Sequence, residues 1–428
     1  MPSITQIFYT KFIKTFTIKK LKYLFLLISM SPLLLIMFLI KPFFLIRFGH
    51  LDTVRIGTIS ILEDYLLNYK IWNSTIYEKK RKIFDIWAVD PIVCNKQFLS
   101  ILKRNFFTSK RMYPIYKTLN FFFTNKNLSR YFKFIETHLI KSNVSFPARL
   151  DRGENKLGLT KKEIQYGETF LNKFGIPKNA KIVCFTVRDS LYNKKKFPSE
   201  DFSYHNYRDS KIENYLPAIK ELIKRNFYVV RMGRIAEKKI NIKNKKFIDY
   251  AFHPLKNDLM DFYFAHKCHF WICSNTGLDE IAVSLRKPVL DLNVAPVTSA
   301  KVTSKKTLIC CKIYKDFNNK KISLEKTFDK GAAHFSKSEN FEKAKIKLVE
   351  LNKKEIKDCV LEMLIMIKNS WKIKNKKDNR LQKKYKEIYS KNIKLIDPSF
   401  VYFKMNAFYS LTFLKKNSWF LNTGKNKF

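Results

Sequence analysis

The chain is predicted to be an α/β protein, with two Rossmann-like domains behind an N-terminal membrane helix. Three observations carry this. Short apolar runs alternate with helix-periodic segments across most of residues 43–293, the pattern of a parallel sheet wound with helices. Residues 270–293 read as one complete strand, turn, helix, strand unit. Residues 23–40 hold no charged side chain, a length at the threshold for a helix that crosses a bilayer.

Residues 1–42 comprise a basic N-terminus and this apolar segment. Lys11, Lys14, Lys19, Lys20 and Lys22 precede it, and such charge favours a cytoplasmic N-terminus. Lys41 and Arg47 flank the far side, and Pro32 lies in the middle. A straight span would carry the remaining chain across the membrane. A helix bent at Pro32, entering and leaving on one face, keeps it on the cytoplasmic side and is the arrangement expected here. The through-span stays open, because Pro is tolerated in spans. The expected location is the inner (cytoplasmic) membrane, with the folded domains facing the cytoplasm.

Residues 43–145 read as the first Rossmann-like domain, the acceptor domain in the reading below. Residues 43–48 are a strand, 49–57 a loop with Gly49 and Gly57, and 58–69 a helix. Residues 84–89 and 95–105 supply another strand and helix. Residues 146–160, polar with Pro147, Gly153 and Gly158, are the linker. The second domain is 161–371. Its helices are expected at 161–174, 212–225, 257–267, 278–287 and 353–371, with Asn257 and Asn352 as caps. Its strands are expected at 181–187, 227–232, 247–251, 270–273, 289–292, 308–314 and 346–351, and residues 190–211 read as a long polar loop. Pro288 stops the helix at 278–287. Residues 372–428 are a basic tail, lysine-rich to 397 and aromatic from 400.

The net charge is +47, from 83 Lys and Arg against 36 Asp and Glu. The 68 lysines are scattered, and no base-reading module is visible, so nucleic acid is not an expected partner. Diffuse positive charge suits an anionic membrane surface better. Arginine behaves differently: five of the 15 fall between 188 and 234, where a planar fork suits phosphate or carboxylate. The seven cysteines are irregularly spaced, without zinc spacing, which fits a reducing compartment.

The turn Ser274, Asn275, Thr276, Gly277 leads from a strand into a helix. Backbone N–H groups at a helix N-terminus, with hydroxyls beside them, favour a phosphate. Glu280, on the first helical turn, could meet a sugar or ribose hydroxyl. The same residues equally describe an ordinary capped helix, with Asn275 or Thr276 as N-cap. Ser274-Asn-Thr-Gly-Leu-x-Glu-x-Ala followed by Lys287-Pro-Val resembles the nucleotide-sugar loop in the C-terminal domain of GT-B glycosyltransferases. It is similar to that of heptosyltransferases and the O-fucosyltransferase-like clan. With Val187-Arg-Asp189, His205-Asn-Tyr-Arg-Asp209, Tyr215-Leu-Pro217 and Val229-Val-Arg-Met-Gly233, the chain resembles a family of bacterial glycosyltransferases found with surface-polysaccharide genes. The resemblance covers most of residues 44–421, and its specific motifs occupy about 182–297.

This resemblance implies a GT-B-like fold and a hexosyltransferase-like enzyme. The partners would be a nucleotide-sugar donor, a lipid-linked or polysaccharide acceptor, and the membrane. No cofactor and no metal are expected. The final helix would return to the first domain; on its residues alone the tail equally reads as a surface helix resting on the membrane. Arg188, Arg208 and Arg231 are candidate contacts to the donor diphosphate, although Arg208 and Arg231 could instead pair with Asp189 or Asp209. His205 is the first general-base candidate, since imidazole exchanges protons near neutral pH; a hydrogen-bonding loop histidine is the alternative. Asp189 is the second candidate. His50, Asp52 and Arg55 belong to the first glycine loop. Asp52 is the third catalytic candidate, because in GT-B enzymes the base often comes from the first domain. Two other functions stay open: a non-catalytic, membrane-bound polyanion-binding protein, and a sugar-nucleotide epimerase of the same fold.

Overall fold

The computed structural model describes residues 18–57, 82–124, 157–302, 304–396 and 405–423. The helix expected at 58–69, and the linker before residue 157, lie outside them. The chain forms two compact units: residues 1–62 with 69–145, and residues 63–68 with 146–428.

The first unit begins with helix α1 (Ile18–Ile40), unbroken through Pro32. Proline has no N–H to give to the carbonyl one turn back. The Ser31 hydroxyl donates to that Ile28 carbonyl instead, at 2.8 Å. The expected helix that bends back at Pro32 is thus replaced by one continuous helix. Tyr23, Leu27, Met30, Leu34 and Met37 recur every three or four residues, one helical face. They pack into a cluster with Phe48, Ala88, Tyr116, Leu119, Phe122 and Phe123. Phe25, Ile28, Leu35, Ile36 and Leu39 are exposed.

Behind α1 stands a parallel sheet in the order β1 (Phe44–Leu51), β2 (Lys82–Val89), β3 (Thr108–Ser109). Helix α2 (Lys96–Lys103) is capped by the Asn95 side chain, which accepts from the Phe98 N–H at 2.8 Å. Helix α3 (Met112–Thr124) follows. β1 is longer than expected. Gly49, His50 and Leu51 pair with Trp87, Ala88 and Val89, and Leu51 is fully buried, so ladder pairing and burial outweigh the glycine signal. The loop starts at Asp52.

The second unit contains α4 (Lys161–Lys173), β4 (Ile182–Phe185), α5 (Leu191–Lys196), α6 (Leu216–Lys224), β5 (Tyr228–Arg231), β6 (Phe247–Ile248), α7 (Asp258–Lys267), β7 (Phe270–Cys273), α8 (Glu280–Ser284), β8 (Val289–Val294) and β9 (Thr307–Cys311). It continues with β10 (Ile313–Lys315), α9 (Leu324–Asp329), α10 (Ser338–Lys343), β11 (Lys347–Val349), α11 (Lys353–Lys368), α12 (Lys376–Ile396), β12 (Phe408–Tyr409) and α13 (Leu411–Lys416). Seven strands form one sheet in the order β12-β9-β8-β7-β4-β5-β6, every pair parallel. All residues of β4, β7, β8 and β9 are buried, as in a sheet covered on both faces. The chain winds from β4 outward to β6, then restarts at β7 on the other side. Between β4 and β7 lies a topological switch point, where the carboxyl ends of the strands leave a crevice.

Several expectations are corrected. The polar loop at 190–211 contains α5 and a 3-10 turn at Ser203–Arg208. The strand at 308–314 divides, because β10 leaves the main sheet to pair antiparallel with β11. The described part of the tail, residues 405–423, completes the second unit. β12 pairs with β9, Phe408 against Leu308, and Tyr409, Phe413 and Phe420 are buried in the main core. Glu362 of α11 secures it, accepting from the Ser410 hydroxyl at 2.6 Å and from the Leu411 and Thr412 N–H groups at 2.7 and 3.0 Å. All seven cysteines are free thiols, six of them buried.

Candidate functional site

The switch point brings two loops side by side. After β4 the chain continues as Thr186, Val187, Arg188, Asp189; after β7 it continues as Ser274, Asn275, Thr276, Gly277. The Arg188 N–H donates to the Ser274 hydroxyl at 2.8 Å, and the Thr186 and Thr276 hydroxyls lie 3.0 Å apart. Arg208, from the 3-10 turn, reaches across: its Nη2 donates to the Asn275 carbonyl at 2.9 Å and to Asn275 Oδ1 at 2.7 Å. The Asn275 amide donates onward to Ser299 Oγ at 2.9 Å. Sequence-distant motifs therefore meet in one bonded layer.

The β7 turn is not the helix start that was expected. α8 begins only at Glu280 and is five residues long, flanked by Asp279, so neither Asn275 nor Thr276 is its N-cap. At this point the turn carries a buried ion cluster. Thr276 Oγ1 bonds the Asp279 carboxylate. Lys301 Nζ pairs with Asp279 at 2.8 Å and with Glu280 at 2.9 Å. The Lys301 N–H donates to Asp291 at 3.3 Å. Burial works against the Lys301 charge, but Asp279, Glu280 and Asp291 outweigh it and hold its pKa well above the ordinary lysine value. Burial pushes the Glu280 carboxyl up, with Lys301 opposing. Glu280 is on the first helical turn as read, with its carboxylate engaged by Lys301.

Beside the switch point lies a cavity of about 530 Å³, lined among others by Arg188, Asp189, Tyr207, Asp209, Lys312 and Glu350. Arg188 Nε stands 3.2 Å from Asp209 Oδ1. Lys312 follows β9 and is nearly buried; its Nζ donates to the Tyr207 carbonyl at 3.0 Å and to the Asp209 carbonyl. Burial lowers the pKa of Arg188, Arg208 adds to that, and Asp209 opposes it. Burial also lowers that of Lys312, against Glu350 and Asp209. Burial raises that of Asp209, against Arg188 and Lys312. The neighbouring acids have other bonds. Asp189 accepts from the Leu191 and Glu237 N–H groups at 3.1 and 3.0 Å, and Glu350 accepts from the Lys211 N–H at 2.9 Å. Arg188 and Lys312 thus flank Asp209, with Arg208 close to Arg188 and with Asp189 and Glu350 beside them, in partly dry surroundings where a charged ligand is felt strongly.

Of the residues singled out from the sequence, Arg188, Asp189 and Arg231 line this cavity; His205, Arg208, Glu280 and the turn at 274–277 do not. Arg231 is 3% exposed. Its partners are the Lys238 carbonyl and, at 3.4 Å, Asp249, rather than Asp189 or Asp209. His205 lies against the Tyr204 ring, centroids 4.1 Å apart. Asp52 is in the first unit, just after β1, and accepts from the Val54 N–H at 3.2 Å. Two residues were missed. Lys312 is one lysine among 68 and gains meaning only when β9 takes its place in the sheet. Asp90 directly follows β2 and bonds His50 at 3.1 Å, a pairing across 40 residues that no local spacing announces.

No protein-family model matches the chain, and no curated protein matches its sequence. Among solved structures it is similar to the ADP-heptose LPS heptosyltransferase II of E. coli, at 12% identity over 62% of this chain and 90% of that one, with a TM-score of 0.33. It is similar to a glycosyl transferase family 9 structure from Veillonella parvula, at 9% identity over 74% and 97%, with a TM-score of 0.41. It is also similar to UDP-GlcNAc 2-epimerase from Neisseria meningitidis, at 13% identity over 76% and 100%, with a TM-score of 0.26. Likeness at this level does not separate sugar transfer from epimerisation.

Proposed function

We propose that this protein is a membrane-associated glycosyltransferase, moving a sugar from a nucleotide-sugar donor to a lipid-linked or polysaccharide acceptor of the bacterial surface. One observation carries the reading: Arg188 and the buried Lys312 line a cavity at the carboxyl edge of a switch-point sheet, with Arg208 close to Arg188. Cations at that position suit the diphosphate of a nucleoside diphosphate. In the reaction, the acceptor oxygen bonds to the anomeric carbon as the carbon–phosphate-oxygen bond breaks. The electron pair leaves on the diphosphate, which Arg188 and Lys312 neutralise. Transfer by this route needs no metal.

Membrane association is supported by the outward face of α1 and by Phe43, three residues beyond its end. Phe25 is 76% exposed and Phe43 79%. Exposed apolar surface of this extent marks an interaction site. The inner stripe of α1 is packed on the sheet, which favours a helix lying in the interface over one that spans. The lysines before it suit an anionic leaflet, and a cytoplasmic face gives access to nucleotide sugars.

Calorimetry on the full chain in detergent, with UDP, ADP and GDP as probes, tests the reading. Saturable micromolar binding of one of them is expected, at least tenfold weaker in Arg188→Lys and in Lys312→Met with far-UV circular dichroism unchanged. No saturable binding would remove the donor site and leave the polyanion-binding alternative. Conversion of a bound nucleotide sugar without transfer would favour an epimerase.

A further inference from the structure

The sheet of the first unit carries a row of rings that α1 leaves uncovered. Successive side chains of a strand alternate between its two faces. Ile46 and Phe48 of β1, with Ile86 and Ala88 of β2, pack in one cluster with α1 and α3. Phe44 is two residues from Ile46, and Phe84 is the partner of Ile46 in the parallel ladder, so both belong to that same face. Their rings stack at 24°, with centroids 6.5 Å apart. The Phe107 ring, from the turn before β3, lies 5.5 Å from that of Phe84. Phe84 is 39% exposed and Phe107 55%. The backbone at both ends of the row is tied to β2. The Trp87 N–H donates to the Phe107 carbonyl at 2.9 Å, and the Lys82 N–H to the Phe43 carbonyl at 3.2 Å.

The charge around the row is one-sided. Lys82 is the ladder partner of Phe44, and Lys103 and Arg104 close α2 just ahead of Phe107; all three are exposed. Asp85 belongs to the opposite face of β2 and pairs there with Arg47 at 2.8 Å. Residues 18–51 and 96–124, which supply α1, β1, α2, β3 and α3, contain 11 Lys and Arg and no Asp or Glu. A general preference for lysine accounts for the cations but not for the missing carboxylates, since the whole chain holds 36. Exposed rings rimmed by cations alone suit the headgroup level of an anionic bilayer, where aromatic side chains settle and Lys and Arg meet phosphate. A second copy of the same edge would bring like charges together.

We infer that this row is a second membrane-binding element: Phe84 and Phe107 enter the headgroup layer of an anionic phospholipid surface, with Lys82, Lys103 and Arg104 against its phosphates. The inference rests on the membrane-association reading above and extends the contact from the helix to the sheet. The first unit then meets the bilayer over the face that carries α1, with the uncovered end of the sheet seated beside the helix.

The test uses the full chain in detergent, mixed with preformed vesicles and floated after the detergent is removed. Phosphatidylcholine vesicles are compared with and without phosphatidylglycerol. Phe84→Ser with Phe107→Ser should lower binding to the anionic vesicles by about tenfold or more, with circular dichroism unchanged. Phe84→Trp with Phe107→Trp should keep it, because indole settles at the same level. Lys82→Gln with Lys103→Gln should lower binding to the anionic vesicles by about tenfold at low ionic strength and leave the neutral ones unaffected. In Phe107→Trp, lipid brominated near the headgroup end of its chains should quench more fluorescence than in the unaltered protein. The inference is overturned if the serine pair, folded, binds as the unaltered protein does while Phe25→Ser with Ile28→Ser and Leu39→Ser loses binding, since α1 alone would then be the contact. It is also overturned if the serine pair dissolves a dimer seen by light scattering and leaves vesicle binding intact, since a second copy would then cover the row. No binding of the unaltered protein to either vesicle would overturn the membrane reading itself, and this inference with it.

Discussion

Arg208 holds Asn275 twice with one nitrogen, Nη2 donating to its backbone carbonyl at 2.9 Å and to its side-chain oxygen at 2.7 Å. The contact joins the 3-10 turn after β4 to the turn after β7. Because Arg188 is bonded to Ser274 in the same layer, the shape of the cationic wall depends on this grip. Arg208→Lys keeps the charge and loses the planar fork. A loss of about 1.5–3 kcal/mol in stability is expected, the range for bonds to charged groups, read by chemical denaturation. Nucleotide affinity should fall in the same variant.

Asn275 has φ of +52°, a conformation disfavoured for residues other than Gly, Asn and Asp. Asn275→Gly and Asn275→Ala lose the same side-chain bonds. They differ in backbone strain, so the Gly variant should be the more stable by about 1 kcal/mol. Equal melting of the two would mean that the turn relaxes out of this conformation.

Lys301 faces three carboxylates, Asp279, Glu280 and Asp291. Lys301→Met removes the cation paired with Asp279 and Glu280 and facing Asp291, and should cost about 3–5 kcal/mol at pH 7. The sign with pH follows from linkage. Burial already raises the pKa of Glu280 and Asp291, and removing the cation raises them further. A carboxyl raised in the folded state binds protons more readily there than in the unfolded chain. The variant should therefore regain stability as pH falls from 7 towards 5, whereas one limited by lost packing alone would not. Urea midpoints at several pH values separate the two.

A Cβ on Gly167 of α4 would collide with the Tyr263 ring of α7. Gly167→Ala, which normally favours a helix, should here destabilise by about 1–3 kcal/mol through overpacking. Its unfolding midpoint against the unaltered protein is the measurement.

Replacing Phe25, Ile28 and Leu39 by serine leaves the inner stripe of α1 untouched. Binding to vesicles of anionic phospholipid should drop at least tenfold, with circular dichroism unchanged. Full retention after this change would put the membrane contact elsewhere on the protein.

The elements most legible in the sequence are those with local causes. β7 runs from Phe270 to Cys273 as its apolar run indicates. Asn257 caps α7, accepting from the Met260 N–H at 3.0 Å, and Asn352 forms a capping box with Glu355. Where distant partners decide, local signals mislead. Gly49 signalled a loop, yet pairing with β2 keeps it in a strand. The helix after Gly277 starts late, at Glu280, beside the pairs that Lys301 makes with Asp279 and Glu280 from beyond β8. Arg188 and Asp189 were visible as motif residues, while Lys312 and Asp90 acquire their partners only through sheet order.

Helix α1 is wetted differently on its two sides, by a protein core on one and by nothing polar enough to suit water on the other. Trimming residues 1–42 to obtain a freely soluble sample would peel the cover from Phe48, Ala88, Tyr116, Leu119, Phe122 and Phe123. It would exchange one sticky surface for another. A soluble form for crystallisation or kinetics is better made by repainting the outer face of the helix and keeping its inner face whole. The same logic gives the segment two jobs that mutation can separate, one in building the first unit and one in berthing it.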